Sequence, residues 1–182
     1  LDTVDPLARP IKYRRAIGYL SEQCPLYNDM TVEAYLTFRV RLKGVRSMRV
    51  RRRVGEVLEM CGLEGEAKTQ VRFLSLGYRK RLGLADALAL HPKLLLLDDP
   101  LAGLDVRQRA KTAAVLTAAS SRSAVLVAGH EIQEMLGWCT RFVVLNRGRV
   151  AALYRVCDHT RGELAQMLER QITADLAGEG AT

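Results

Sequence analysis

The sequence predicts an α/β fold built on a parallel sheet, with a helical subdomain inserted into it and a hairpin at one edge. Three observations predict it. Residues 94–97 are four consecutive leucines, and an apolar run without alternation suits a strand buried on both faces, as at the centre of a parallel sheet. Residues 16–20 and 124–128 are two further short apolar runs of strand length. The stretches between these runs repeat their apolar positions at helical spacing, as the connections between parallel strands do.

The central strand ends in Asp98-Asp99-Pro100. Ligands of open α/β sheets sit outside the carboxyl ends of the strands, so both carboxylates would face that crevice, where acidic groups can hold a hydrated Mg²⁺ or polarise a water. Pro100 stops the strand and Gly103 permits a tight turn.

The 182 residues are 48% hydrophobic and 26% charged, the make-up of one ordinary globular domain with a sizeable core. Apolar runs stop at four or five residues, far short of the ~20 that a membrane helix needs, and no signal-peptide pattern opens the chain. A cytoplasmic protein is therefore expected. The four cysteines, Cys24, Cys61, Cys139 and Cys157, show no C-x-x-C pairing and read as reduced core thiols. A formal charge of +8 leaves a polyanion, a phosphate-bearing ligand or an anionic membrane surface open as partners, with much of the excess in Arg46, Arg49, Arg51, Arg52 and Arg53.

Taken in order, a polar lead with Pro6 and Pro10 precedes the strand at 16–20, which Ser21, Glu22 and Gln23 leave. Thr31 is placed to cap a helix with Tyr35, Leu36, Phe38, Val40 and Leu42 as its apolar face, ended by Gly44. A second helix buries Val50, Val54, Val57, Leu58 and Cys61, its arginines on the other face, and ends at Gly62. Ser75 is the expected N-cap of the next helix, which runs to His91-Pro92. A helix N-terminus offers unpaired N–H groups, Gly77 removes a side chain that would block close approach, and Ser75 adds a hydroxyl, so this end could receive a phosphate. Residues 106–121 read as a helix, and Gly129-His130-Glu131 leaves the strand at 124–128 at the level where Asp98 leaves its own. A short helix over 132–139, a hairpin of 142–145 with 150–154, and a final helix capped by Thr160 and Glu163 and bearing Leu164, Met167, Leu168 and Ile172 complete the chain.

Four motifs thus stand in one order: Gly18-Tyr19-Leu20-Ser21-Glu22-Gln23, then Leu74-Ser75-Leu76-Gly77-Tyr78, then 94–100 with Leu104-Asp105, then Gly129-His130. In this order the chain resembles the ATP-binding subunit of an ABC transporter over nearly its whole length. The wording of the signature and of the Q-loop is similar to the exporter branch that works with ABC-2-type membrane subunits. The resemblance implies a P-loop NTPase-like core, with residues 1–30 as a core remnant bearing the Q-loop and 31–90 as the helical subdomain bearing the signature. Residues 91–156 would be the core with Walker B, D-loop and switch histidine, and 157–182 the C-terminal helix and tail. Asp98 would hold Mg²⁺ through water, Asp99 would polarise the attacking water and His130 would touch the γ-phosphate of ATP. Ser75 and Gly77 would bind the nucleotide of a second nucleotide-binding domain, Asp105 would lie at that interface, and Glu22 or Gln23 would link the Mg²⁺ site to a transmembrane permease whose coupling helix rests near Leu26, Tyr27 and Thr31. The protein would be peripheral to the cytoplasmic membrane, and nucleic acid is not an expected partner.

Three departures from the family qualify this expectation. Asp99 stands where the family usually has Glu, which draws the carboxylate back by about an ångström, a displacement that can cost ~10²-fold in rate. Glu22 stands where most members have Gln. None of the 14 glycines is followed by Lys, so the Gly-x-x-x-x-Gly-Lys-[Ser/Thr] loop that cradles phosphates is not in this sequence. The chain therefore reads as the portion after the P-loop, inactive alone and prone to associate through an exposed sheet edge. A non-hydrolysing regulatory subunit and a nucleic-acid-associated ATPase of the same superfamily are the alternatives.

Overall fold

The leucine run lies at the centre of a sheet, as expected. β1 (Ile17–Leu20), β2 (Leu94–Asp98) and β3 (Ala124–Ala128) pair in that order, all parallel, with Leu20 opposite Leu97 and Asp98 opposite Ala128. The computed structural model describes residues 7–129 and 132–177, the last six of these as backbone alone. The chain divides into two compact units, one ending at Gly129 and the other beginning at His130.

Expected burial on both sheet faces is met on one. Leu95 and Leu97 are buried, whereas Leu94 and Leu96 are half-buried, and in the row Tyr19–Leu96–Leu126 the two outer residues are 60% and 59% exposed. The covered face lies under a helix that approaches unusually closely. A Cβ on Gly18 would sit 2.3 Å from the Ala87 carbonyl oxygen, so only glycine lets β1 meet that backbone.

The polar lead before β1 contains a short helix that the sequence reading did not announce. This is α1 (Pro10–Arg15), with Pro10 in the first turn, where its missing N–H costs nothing. The helical subdomain consists of α2 (Val32–Leu42), α3 (Ser47–Met60) and α4 (Leu76–Leu88). Thr31 caps α2 as expected, its Oγ1 accepting from Ala34 N at 3.2 Å. Val50, Val54, Val57, Leu58 and Cys61 are buried, but Arg53 departs from the outer face expected of the arginines and is only 7% exposed. The reason is reciprocal capping. Arg53 donates to the Leu88 and Ala89 carbonyls at the C-terminus of α4, and Arg81 on α4 donates to the Cys61 and Gly62 carbonyls at the C-terminus of α3. Neither helix has a basic residue in its own last turn, so each receives its terminal cation from the other. Helix α4 stops two residues short of the expected Leu90, and His91 follows with φ +50°. After β2, Asp105 caps α5 (Val106–Ser120) by accepting from Gln108 N at 2.8 Å.

In the second unit, α6 (Ile132–Met135) is shorter than the 132–139 expected. The hairpin of β4 (Arg141–Asn146) and β5 (Arg149–Arg155) turns at Arg147 and Gly148, both with positive φ, as a type I′ turn requires. Helix α7 (Arg161–Ala177) begins with the expected capping box: Glu163 accepts from Thr160 N at 2.9 Å, and Thr160 Oγ1 accepts from Glu163 N. Phe142, Val144, Leu164 and Leu168 are buried. Cys24 and Cys61 are core thiols as expected, and burial pushes the Cys61 thiol up to about 12. Cys139 is half-buried and Cys157 is exposed, so neither belongs to a core. No helix among the described residues is long and apolar enough to cross a membrane.

Candidate functional site

Parallel register brings the carboxyl ends of all three strands to one side. Ser21, Glu22 and Gln23 leave β1, Asp98 and Asp99 end β2, and Ala128-Gly129 ends β3. Asp98, Glu22 and Gln23 are exposed and Asp99 is half-buried. His130 and Glu131 lie outside the described residues. Asp99 N donates to Ala128 O at 2.9 Å, which holds the turn after β2 to the end of β3.

Asp99 sits at φ +42°, a left-handed conformation that aspartate tolerates better than longer side chains because its short polar group can bond locally. A backbone held in this region beside a sheet's carboxyl edge is a place where strain is stored at functional sites. It also gives a local reason for Asp at this position.

A residue that the sequence reading did not single out joins these strand ends. Lys80 on α4 is 4% exposed, and its Nζ donates to Glu22 O at 2.7 Å and to Asp99 O at 3.2 Å. The ammonium thus ties the segment leaving β1 to the turn leaving β2. Its partners are 58 and 19 positions away, so no local pattern announces it. The one available signal is a lysine within an otherwise buried helical run, residues 80–89.

Ser75, Gly77 and Asp105 form a second group. Ser75 is the N-cap of α4 and exposed, and its side chain makes no capping hydrogen bond. Gly77 is buried: the Gln108 Oε1 lies 1.7 Å from where its Cβ would be. The glycine therefore admits a side chain of α5. A Cβ on Gly103 would likewise meet Leu76 Cδ2 at 2.7 Å, and Asp105 is committed to Gln108 N, so the start of α5 and the start of α4 are packed together. Lys80, which ties the strand exits, lies three residues along α4 from Gly77.

Among the described residues, no group of three or more His, Cys, Asp or Glu side chains gathers to hold a metal. An exposed carboxylate at a strand end, Asp98, fits Mg²⁺, which binds through one or two carboxylates and keeps several waters.

Comparison with solved structures places this geometry. The fold matches a dimeric ATP-binding cassette, MJ0796, in a post-hydrolysis state with ADP and Pi, at TM-score 0.72 and 25% identity over 85% of this chain and 69% of that one. It also matches an ATP-binding subunit of an ABC transporter at TM-score 0.74 and 25% identity, over 87% of this chain and 66% of that one. The architecture is that of ATP-binding cassettes. The profile of the ABC transporter family matches residues 3–102, and the chain belongs to that family. Among curated relatives, the uncharacterized ABC transporter ATP-binding protein YxlF of Bacillus subtilis is 32% identical over 88% of this chain and 52% of its own length. The taurine import ATP-binding protein TauB of Sinorhizobium fredii is 43% identical over 70% of this chain and 49% of its own. The chain spans about half the length of the curated relatives it matches.

Proposed function

We propose that this chain forms part of the ATP-binding and ATP-hydrolysing subunit of an ABC transporter, and that the strand ends described above meet the terminal phosphate of ATP. The observation that carries this reading is that parallel register brings the chain segments bearing Glu22, Asp98 and Asp99 to the same end of the sheet, in a chain of this family. Asp98 would hold Mg²⁺ through water; the ion, when bound, offsets the charge that develops on the transferring phosphoryl group. Asp99 accepts a hydrogen bond from the attacking water and so orients it. Lys80 acts as a positioning residue, fixing both strand exits without touching nucleotide. His130, from the strand-end motif that follows β3, contacts the γ-phosphate.

Ser75 and Gly77, at the start of α4, and Asp105, at the start of α5, would serve the nucleotide of a second cassette. In this reading residues 1–30 and 91–156 belong to the RecA-like core, 31–90 to the helical subdomain, and 157–182 to the C-terminal tail. Glu22 and Gln23 pass the state of the site to a membrane permease, which places the protein at the cytoplasmic face of the membrane. Relatives named by substrate include import ATP-binding proteins for taurine, methionine, Fe(3+) ions and sulfate/thiosulfate, which favours import over the ABC-2 export expected from the signature's wording. These 182 residues contain no Gly-Lys pair, and ATP hydrolysis in this reading needs a phosphate-binding loop that they do not supply.

The test uses the full reading frame that contains this chain. Its Mg²⁺-dependent ATP hydrolysis is measured against Asp98→Asn and His130→Ala. Each variant is expected to lose on the order of a hundredfold in rate. Parental rates in both variants would overturn the reading.

A further inference from the structure

We propose that the corner made by α1, the turn between α2 and α3, and the first turns of α3 is a docking surface for an anionic lipid bilayer. Between Glu33 and Glu56 the chain has no carboxylate, while eight residues are Arg or Lys. Arg46, Arg49 and Arg51 are exposed and make no ion pair among the described residues. Helix α1 brings its own cations to the same place, because the Arg15 guanidinium lies 2.2 Å from where a Cβ on Gly44 would be. A cleft of about 500 Å³ joins α1 to the end of α2; Asp86 in its lining pairs with Arg39 and Lys43, which leaves Arg14 as its cation outside those pairs.

The arginines run against the interests of their helix. A helix dipole favours anions at its N-terminus and cations at its C-terminus. Helix α3 has Arg46 as an N-cap without a capping hydrogen bond, no acidic residue in its first turn, and Glu56 and Glu59 towards its end. Local stability therefore does not account for this order of charges, and an external anionic surface does. The reciprocal capping described above accounts for Arg53 alone.

Aliphatic side chains stand among these cations. Ile11, Leu42 and Met48 are 70%, 65% and 87% exposed. Arginines with exposed aliphatic residues between them match a bilayer interface, where cations meet phosphates and apolar groups enter the acyl boundary. A nucleic acid would reward aromatic stacking platforms; residues 39–60, which carry the exposed arginines, contain none, and Tyr13 and Tyr19 line the cleft beside α1.

The test is flotation of the 182-residue chain with vesicles of phosphatidylcholine alone or with phosphatidylglycerol added, at low and high salt. No nucleotide enters the measurement, so its failure leaves the ATP reading standing. The chain is expected to float with phosphatidylglycerol vesicles only, and less at high salt. The triple change Arg46→Gln, Arg49→Gln and Arg51→Gln is expected to lower partitioning on the order of a hundredfold, about fivefold per arginine. Met48→Asp, read separately, is expected to lower it severalfold, as insertion requires. Arg107→Gln with Lys111→Gln on α5 removes exposed charge elsewhere and is expected to change little. Far-UV circular dichroism checks that each variant folds. Equal loss from the α5 variant would overturn the proposal in favour of diffuse net charge. Retention of vesicle binding in Met48→Asp, together with tighter binding to duplex DNA, would overturn it in favour of nucleic acid.

Discussion

In the full reading frame, Asp99→Glu is expected to raise ATP hydrolysis by as much as about a hundredfold while lowering folding stability by about 1 kcal/mol. The two effects come from one geometry. Asp99 sits at φ +42°, where an L-residue without a short local acceptor is strained, so the longer side chain weakens the turn. The added methylene advances the carboxylate by about an ångström towards the water it would orient, and misplacement on that scale costs ~10²-fold. Lys80 holds the Asp99 carbonyl, so the turn keeps its place and the gain in reach is delivered to the side chain. Steady-state hydrolysis and thermal denaturation together check this. A slower enzyme with unchanged stability would show that the turn was shaped to place aspartate, not glutamate.

Asp86→Leu is expected to cost about 2–3 kcal/mol of stability. Asp86 is 7% exposed and pairs with Arg39 at 2.8 Å and Lys43 at 2.7 Å, both reaching it from α2. Removing it strands two cations that are themselves about a quarter exposed, so the full penalty of a deeply buried pair is not reached. Burial lowers the Lys43 pKa, and Asp86 opposes that shift. Without Asp86 the folded-state value falls further below its ordinary 10.5. Between those two values the unfolded chain then binds more protons than the folded one, so the stability of the variant rises with pH there. Urea melts of parent and variant across the alkaline range check both the size and the sign. A penalty independent of pH would assign the loss to packing alone.

Much of this architecture can be read from the chain, and the exceptions share a cause. The strand at Leu94–Asp98, the cap at Thr31, the turn at Arg147-Gly148 and the capping box at Thr160 are local, and neighbouring residues determine each of them. The conformation of residues 10–15 was also written locally, in a proline at the first helical turn. Arg53 and Lys80 could not be placed this way. Helical periodicity assigns a cation to the solvent face, and only tertiary packing supplies the carbonyls that bring these two inside. Gly77 was legible as a position needing no side chain, but its occupant, Gln108, comes from another helix. The half-covered sheet face likewise follows from what packs on β2, which a run of leucines does not specify.

The central claim is that Asp98 serves a divalent ion beside the terminal phosphate. The most direct measurement is the Kd of Mn²⁺, used as a spectroscopic substitute for Mg²⁺, for the nucleotide-loaded full reading frame by electron paramagnetic resonance. Asp98→Asn is expected to weaken it by about 10–100-fold, the range found when a group acting through a metal's outer shell is lost. An unchanged Kd in a variant that still folds and still binds nucleotide would contradict the account.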